Sequence, residues 1–151
     1  MCVAKDAMIV CRSGHYRAEA CRGPRGCQRR AGRAACDTTR ARAGDVCARA
    51  AEQACSIDAK ELLVCRDGKM VRALFCRGPD GCRAEDSNLR CDLSRANVSD
   101  PCEPSMEGQH ACSSDGASIV ACKAGKFSVD EPCARGKRCN SEDGSVRCEK
   151  D

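Results

Sequence analysis

The sequence predicts a small, disulfide-rich, all-β protein: three tandem six-cysteine modules, each built on a β-hairpin, with short helical turns at the module starts. Three observations carry this. Seventeen of the 151 residues are Cys. Only 19 are Leu, Ile, Val or Phe, there is no Trp, and 32% of the chain is charged. A chain so poor in bulky apolar side chains lacks a core large enough to order it. Disulfides, each contributing roughly 2–4 kcal/mol, are the remaining means of holding it. The third observation is that the cysteine spacing repeats.

Cys47, Cys55, Cys65, Cys76, Cys82 and Cys91 are separated by steps of 8, 10, 11, 6 and 9 residues. Cys102, Cys112, Cys122, Cys133, Cys139 and Cys148 step by 10, 10, 11, 6 and 9. Cys2, Cys11, Cys21, Cys27 and Cys36 step by 9, 10, 6 and 9, matching within one residue the last four steps of the later groups. Such periodicity marks repeated units. The expected organisation is residues 1–46, a module without its first cysteine, plus joint; 47–101, a second module plus joint; and 102–151, a third. Met1 stands where Ala54 and Ala111 stand, so the chain is expected to begin inside a module. The opening Met1–Asp6 lacks the basic start and apolar stretch of a signal peptide, which implies a mature segment or a piece of something longer.

All seventeen cysteines are read as disulfide cysteines, paired within modules, which places the protein in an oxidising compartment: extracellular, periplasmic or at the cell surface. Cytosolic metal binding would need Cys-x2–4-Cys pairs or Cys-x-Cys runs, and the chain has neither; no cofactor or metal is expected. With five cysteines in residues 1–46, one lacks a local partner. It is whichever matches the missing cysteine's mate, and it is expected to pair upstream or with a second chain.

Within a module the hairpin is the clearest element. Residues 60–75 read as two strands around Asp67-Gly68, a pair that tolerates positive φ at both positions. That register sets Cys65 against Met70, Val64 against Val71 and Leu62 against Ala73. The same reading sets Cys11 against Tyr16 around Ser13-Gly14, and Cys122 against Phe127 around Ala124-Gly125. Each third cysteine thus faces a bulky side chain in a miniature core. The loop Cys21-Arg-Gly-Pro-Arg-Gly-Cys27 recurs as Cys76-Arg-Gly-Pro-Asp-Gly-Cys82 and, loosely, as residues 133–139. The ten-residue joints, 37–46 and 92–101, are short enough to imply contact between neighbours. Asp100-Pro101-Cys102-Glu103 has the order of a helix start, and Asp45 is expected to cap residues 46–54 similarly.

The residues of the second repeat, Leu63-Val64-Cys65-Arg-Asp-Gly-Lys69, then Cys76 with Gly-Pro, then Cys91-Asp92, resemble the peritrophin-type chitin-binding module. The resemblance implies a small disulfide-bridged β fold, chitin binding, and the pairs Cys76–Cys91 and Cys133–Cys148. The whole set is also similar to tandem six-cysteine repeats of predicted secreted or envelope proteins of GC-rich bacteria, which implies no activity.

Catalysis is not expected. His15 sits in a hairpin turn where Lys69 and Lys126 stand in the other copies, and His110 has no counterpart, so no nucleophile–base pair recurs. Glu85-Asp86 and Glu142-Asp143 align with each other but with no acidic pair in the first copy. Asp115-Gly116 and Asp143-Gly144 read as turns, without the ligand run of a calcium loop. Asn97-Val98-Ser99 is a glycosylation sequon in a joint.

Charge is graded. Residues 1–46 carry ten basic and four acidic groups, 47–101 nine and nine, 102–151 seven and nine. Arg22, Arg25, Arg29, Arg30 and Arg33 form a candidate patch for an anionic surface polymer or polysaccharide. Nucleic acid is disfavoured, because no interleaved aromatics or recognition helix accompany the arginines. No stretch approaches the ~20 apolar residues of a membrane span. The expected function is a non-enzymatic extracellular or cell-envelope repeat protein, a structural or adhesive scaffold or surface-assembly subunit that binds proteins or self-assembles. The alternative is a carbohydrate-binding repeat protein, opposed by the lack of stacking aromatics.

Overall fold

The computed structural model describes residues 1–85 and 88–150. It is all-β and cross-linked throughout. Sixteen cysteines are disulfide-bonded and one, Cys11, is free. Two compact units are present: Met1–Ile57 with Leu63–Val71, and Asp58–Leu62 with Arg72–Asp151.

In the first unit, β1 (Cys2–Ala4), β2 (Ala7–Arg12) and β3 (His15–Ala20) form a three-stranded sheet in that order. A second hairpin follows, β4 (Cys27–Arg30) and β5 (Arg33–Cys36). A two-residue strand, β6 (Arg40–Ala41), then pairs in parallel with β7 (Gln53–Ser56), Arg40 opposite Cys55 and Ala41 opposite Ser56. The next hairpin, β8 (Glu61–Arg66) and β9 (Lys69–Phe75), contributes its turn end to this unit. Ala41, Ala54, Leu63, Cys65 and Met70 cluster there, with Cys47 packed against them.

The second unit runs from a hairpin through a four-stranded sheet to a further hairpin. The hairpin β10 (Cys82–Glu85) and β11 (Asn88–Cys91) precedes the short strand β12 (Arg95–Ala96). β12 pairs in parallel with β13 (His110–Ser113), Arg95 opposite Cys112 and Ala96 opposite Ser113. β14 (Ser118–Lys123) and β15 (Lys126–Pro132) complete that four-stranded sheet, and β16 (Lys137–Glu142) with β17 (Ser145–Lys150) closes the chain. Cys112, Ile119 and Cys139 form its small core with Cys133, Val146 and Cys148. Leu63 and Val120 are fully buried.

The hairpin turns follow their residue pairs. Ser13 and Gly14 take φ of 50° and 77°, Asp67 and Gly68 51° and 76°, Ala124 and Gly125 51° and 80°. Two consecutive positive φ values match the right-handed twist of the flanking strands. Cys11 lies opposite Tyr16, and Cys122 opposite Phe127, as the turns require.

Seven of the bridges fall into three spacings. Cys47–Cys65 and Cys102–Cys122 span 18 and 20 residues. Cys2–Cys27 and Cys112–Cys139 span 25 and 27. Cys21–Cys36, Cys76–Cys91 and Cys133–Cys148 each span 15, and the last two are the pairs implied by the chitin-module resemblance. Cys55 and Cys82 are also disulfide-bonded.

The helical turns need correction. Among the described residues one 3-10 turn occurs, Pro104–Met106, with Glu103 rather than Asp100 before it. Residues 46–54 form no helix: Val46 bridges Lys69, Ala51 takes φ of 62°, and the chain enters β7 at Gln53. Both aspartates are drawn into longer-range bonds instead. Pro101 bridges Lys126, and Cys102 is tied to Cys122, so no helix can begin there. Asp86 of the acidic pair lies outside the described residues, while Glu85 pairs with Arg83 and Arg90.

The Cys-Arg-Gly-Pro loops have a structural explanation. Gly23 N donates to Asp37 O, and Asp37 N to Gly26 O; Gly78, Asp92 and Gly81 repeat both bonds. A Cβ on Gly23 or Gly78 would lie 2.0 Å from the carboxyl carbon of Asp37 or Asp92. Gly78→Ala is therefore expected to destabilise the protein by about 1–3 kcal/mol through overpacking. Thermal unfolding with the disulfides intact measures this, and an unchanged midpoint would refute the close approach.

Candidate functional site

Two ten-residue segments, each running from the last cysteine of one group to the first of the next, behave as straps. Their sequences align as Cys36-Asp-Thr-Thr-Arg-Ala-Arg-Ala-Gly-Asp-Val-Cys47 and Cys91-Asp-Leu-Ser-Arg-Ala-Asn-Val-Ser-Asp-Pro-Cys102. Arg-Ala forms the short parallel strand, β6 or β12. The following turn is closed by the second Asp: Arg42 N donates to Asp45 Oδ2 at 2.7 Å, and Asn97 N to Asp100 Oδ2 at 2.8 Å.

Each strap then runs along the edge of a hairpin. Gly44 N donates to Met70 O, Met70 N to Asp45 O, and Cys47 N to Gly68 O. The second strap makes the same three bonds: Ser99 N to Phe127 O, Phe127 N to Asp100 O, and Cys102 N to Gly125 O. The strap's terminal cysteine bonds the third cysteine of that hairpin, Cys65 or Cys122. Cys65 and Met70 are 4% and 3% exposed, Cys122 and Phe127 0% and 2%.

An arginine clamps each strap. Arg22 meets Asp45 at 3.1 Å, and Arg77 holds both oxygens of Asp100, Nε at 2.5 Å and the second nitrogen at 2.9 Å. A bidentate pair of this kind combines charge with fixed geometry. Hydrogen bonding to Asp100 raises the Arg77 pKa above the ordinary guanidinium value against the opposing effect of burial. Both arginines follow the first cysteine of a Cys-Arg-Gly-Pro loop; Ala134 stands there in the third. Sequence reasoning missed this role for Asp45 and Asp100. The signal was present as the repeated spacing of Asp two residues before Cys.

The strap roots are anchored by Asp37 and Asp92. Asp37 accepts from Arg25 N and Nε, Thr39 N and Thr39 Oγ1; Asp92 accepts from Asp80 N and Ser94 N. Burial works to raise both pKa values, but these hydrogen bonds outweigh it and hold both carboxyls below their ordinary value. A folded pKa below the unfolded one gives stability that is complete above the unfolded value, about 3.9, and lost as pH falls through the folded value. Stability is thus expected to drop below about pH 4. The drop should be shallower in Asp37→Asn and Asp92→Asn; acid denaturation curves compare the three.

The first hairpin differs. Cys11 is a free, exposed thiol, and Tyr16 opposite it is 80% exposed. The miniature core expected at every third cysteine exists at Cys65 and Cys122 but not at Cys11, because among the described residues no strap lies over β2 and β3. Cys11 is accordingly the one cysteine expected in a disulfide that has none. β1 forms the edge of its sheet, whereas β7 and β13 are flanked on both sides.

The five arginines of the candidate patch take different positions. Arg22 pairs with Asp45 and Arg25 with Asp37. Arg30 lies opposite Arg33, so these two share one face of the β4–β5 hairpin, and Arg29, opposite Ala34, faces the other way. Among the described residues these three make no ion pair, and all are exposed. His110 and Lys123 both meet Asp130, at 3.1 and 2.7 Å, in an exposed cluster, and His15 is exposed at its turn. Among the described residues no three His, Cys, Asp or Glu side chains converge on a metal position. No described helix is long and apolar enough to cross a membrane.

Of the three aromatic rings, Phe127 is buried and Phe75 carries the guanidinium carbons of Arg72 and Arg77 at 4.1 and 4.4 Å. Tyr16 alone presents an open ring. Comparison with family models, curated proteins and solved structures finds no match to this chain.

Proposed function

We propose that the chain is a non-enzymatic repeat protein of the extracellular space or cell envelope, three tandem disulfide modules acting as a structural or adhesive scaffold that binds other proteins. The observation that carries this reading is the strap. The segment leaving one cysteine group becomes a strand in the next sheet, is clamped by an arginine of the preceding loop, and ends in a disulfide. Neighbouring repeats joined this way transmit load through covalent and sheet bonds rather than through a slack linker. The disulfide density fits an oxidising compartment.

Carbohydrate binding is the less favoured reading, because sugar rings stack on open aromatic faces and only Tyr16 offers one. Arg29, Arg30 and Arg33 are the residues through which an anionic polymer would be met.

Cell fractionation with thiol labelling tests the assignment. The protein is expected outside the cytoplasm with sixteen cysteines oxidised; a reduced cytosolic protein would defeat it. A glycan array run beside it should be blank, and saturable glycan binding would promote the alternative.

A further inference from the structure

We propose that the first hairpin is a docking face for a cysteine-ended strap peptide: a segment of a partner polypeptide, of the form Arg-Ala-x-x-Gly/Ser-Asp-x-Cys, that adds a parallel strand to β1 and closes a disulfide onto Cys11. This rests on the repeat reading above and extends it to a partner.

Two occupied examples of the same face lie within the chain, and they specify the contacts residue by residue. Arg40 and Arg95 sit opposite Cys55 and Cys112, the residues that Cys2 matches, so the incoming Arg-Ala pairs with Cys2-Val3 along the free edge of β1. The residue before the incoming Asp donates to Tyr16 O, and Tyr16 N donates to the Asp carbonyl, as at Met70 and Phe127. The incoming Cys N donates to Gly14 O, as at Gly68 and Gly125. The residue before it bridges His15, as Val46 bridges Lys69 and Pro101 bridges Lys126.

The surface has the character of an uncovered interface. Met1, Val3 and Tyr16 are 67%, 50% and 80% exposed, the first two at β1 and the third opposite the free thiol. Ile9 is partly exposed where its equivalents Leu63 and Val120 are fully buried. Strand addition of this kind draws affinity from main-chain hydrogen bonds and specificity from alternate side chains.

The covalent step is a thiol–disulfide exchange. The Cys11 thiolate attacks the strap-side sulfur of a mixed disulfide between strap and a small thiol such as glutathione. The old S–S bond breaks, the small thiol leaves as its thiolate, and the Cys11 proton passes to solvent. One disulfide replaces another, with no net oxidation.

The test uses the full oxidised chain and a synthetic peptide of the sequence 38–49, its cysteine carried as the glutathione mixed disulfide. Mass spectrometry follows transfer to Cys11. Transfer should run roughly tenfold or more faster than to a scrambled peptide with the same cysteine, since a few backbone hydrogen bonds suffice for that factor. In parallel, Cys11→Ser is titrated with the peptide in which Ser replaces Cys. Tyr16 is the only Tyr and there is no Trp, so its fluorescence reports docking without covalent capture. A saturable change with the strap peptide and none with the scrambled one supports the proposal. Equal transfer rates, or a silent Tyr16, overturn it, as does preferential formation of a Cys11–Cys11 dimer. Disulfide mapping of the chain itself separates the two levels. If Cys47–Cys65 and Cys102–Cys122 are found while the peptide fails, docking is wrong and the repeat reading stands; if those bridges are absent, the repeat reading falls with it.

Discussion

Reduction is expected to unfold this chain outright rather than loosen it. Ordering a residue costs roughly 1–2 kcal/mol of backbone entropy alone. Against that, the first unit gathers one small cluster, Ala41, Ala54, Leu63, Cys65 and Met70, and the second Cys112, Ile119 and Cys139 with three partly buried neighbours. Seven of these eleven side chains are alanines or cysteines, whose burial contributes little compared with Leu or Phe. The bridges close loops of 15 to 27 residues, and each is expected to contribute about 2–4 kcal/mol, so losing the set removes more than the net stability of a typical domain. Circular dichroism and limited proteolysis, with and without reductant, measure the effect. Protease resistance surviving full reduction would reveal a source of stability outside the bridges.

The period of the cysteines and the chemistry of Ser13-Gly14, Asp67-Gly68 and Ala124-Gly125 made the hairpins legible in the sequence, because turn geometry is set by two residues and their φ values. The Cys76–Cys91 and Cys133–Cys148 bridges were legible only through a resemblance. What could not be read locally was the destination of the straps. Arg40–Ala41 and Arg95–Ala96 are strands of two residues, too short to leave an alternation pattern, and they exist because a neighbouring edge receives them. Asp45 and Asp100 carry the local signature of helix caps. Their carboxylates nevertheless go to Arg22 and Arg77, more than twenty residues away, and to the turn amides of Arg42 and Asn97. The division of the candidate arginines between two faces was hidden for a related reason. Counting charges along a loop ignores the alternation of a hairpin, which puts Arg29 on one face and Arg30 with Arg33 on the other. Free Cys11 was legible in kind, since an odd count forces an unpaired cysteine, but naming it required knowing that first pairs with third.

Opening one strap is expected to convert a covered hairpin into one like the first. In Cys102→Ser/Cys122→Ser the strap of residues 92–102 loses its covalent end, a closure of 20 residues, at a cost of about 2–4 kcal/mol. Its hydrogen bonds to Phe127 and Gly125, the 3-10 turn at Pro104–Met106 and the buried Met106 all lie next to that end. They should fray together, exposing Phe127 from its present 2%. Arg77–Asp100 remains to hold the strap's middle, so β12 should stay paired with β13 while residues beyond Asp100 exchange freely. Hydrogen exchange resolves the two halves: fast at the amides of position 102 and Phe127, slow at Cys112, whose N–H donates to Ser94 O. Adding Asp100→Asn to the double variant removes the charge on the clamp and should release β12 as well. If the double variant instead keeps Phe127 protected, the disulfide merely decorates a strap already held by its backbone. The exposure of Tyr16 would then need a cause other than the lack of a strap over it, because the two hairpins share the same turn geometry and set a cysteine opposite an aromatic ring.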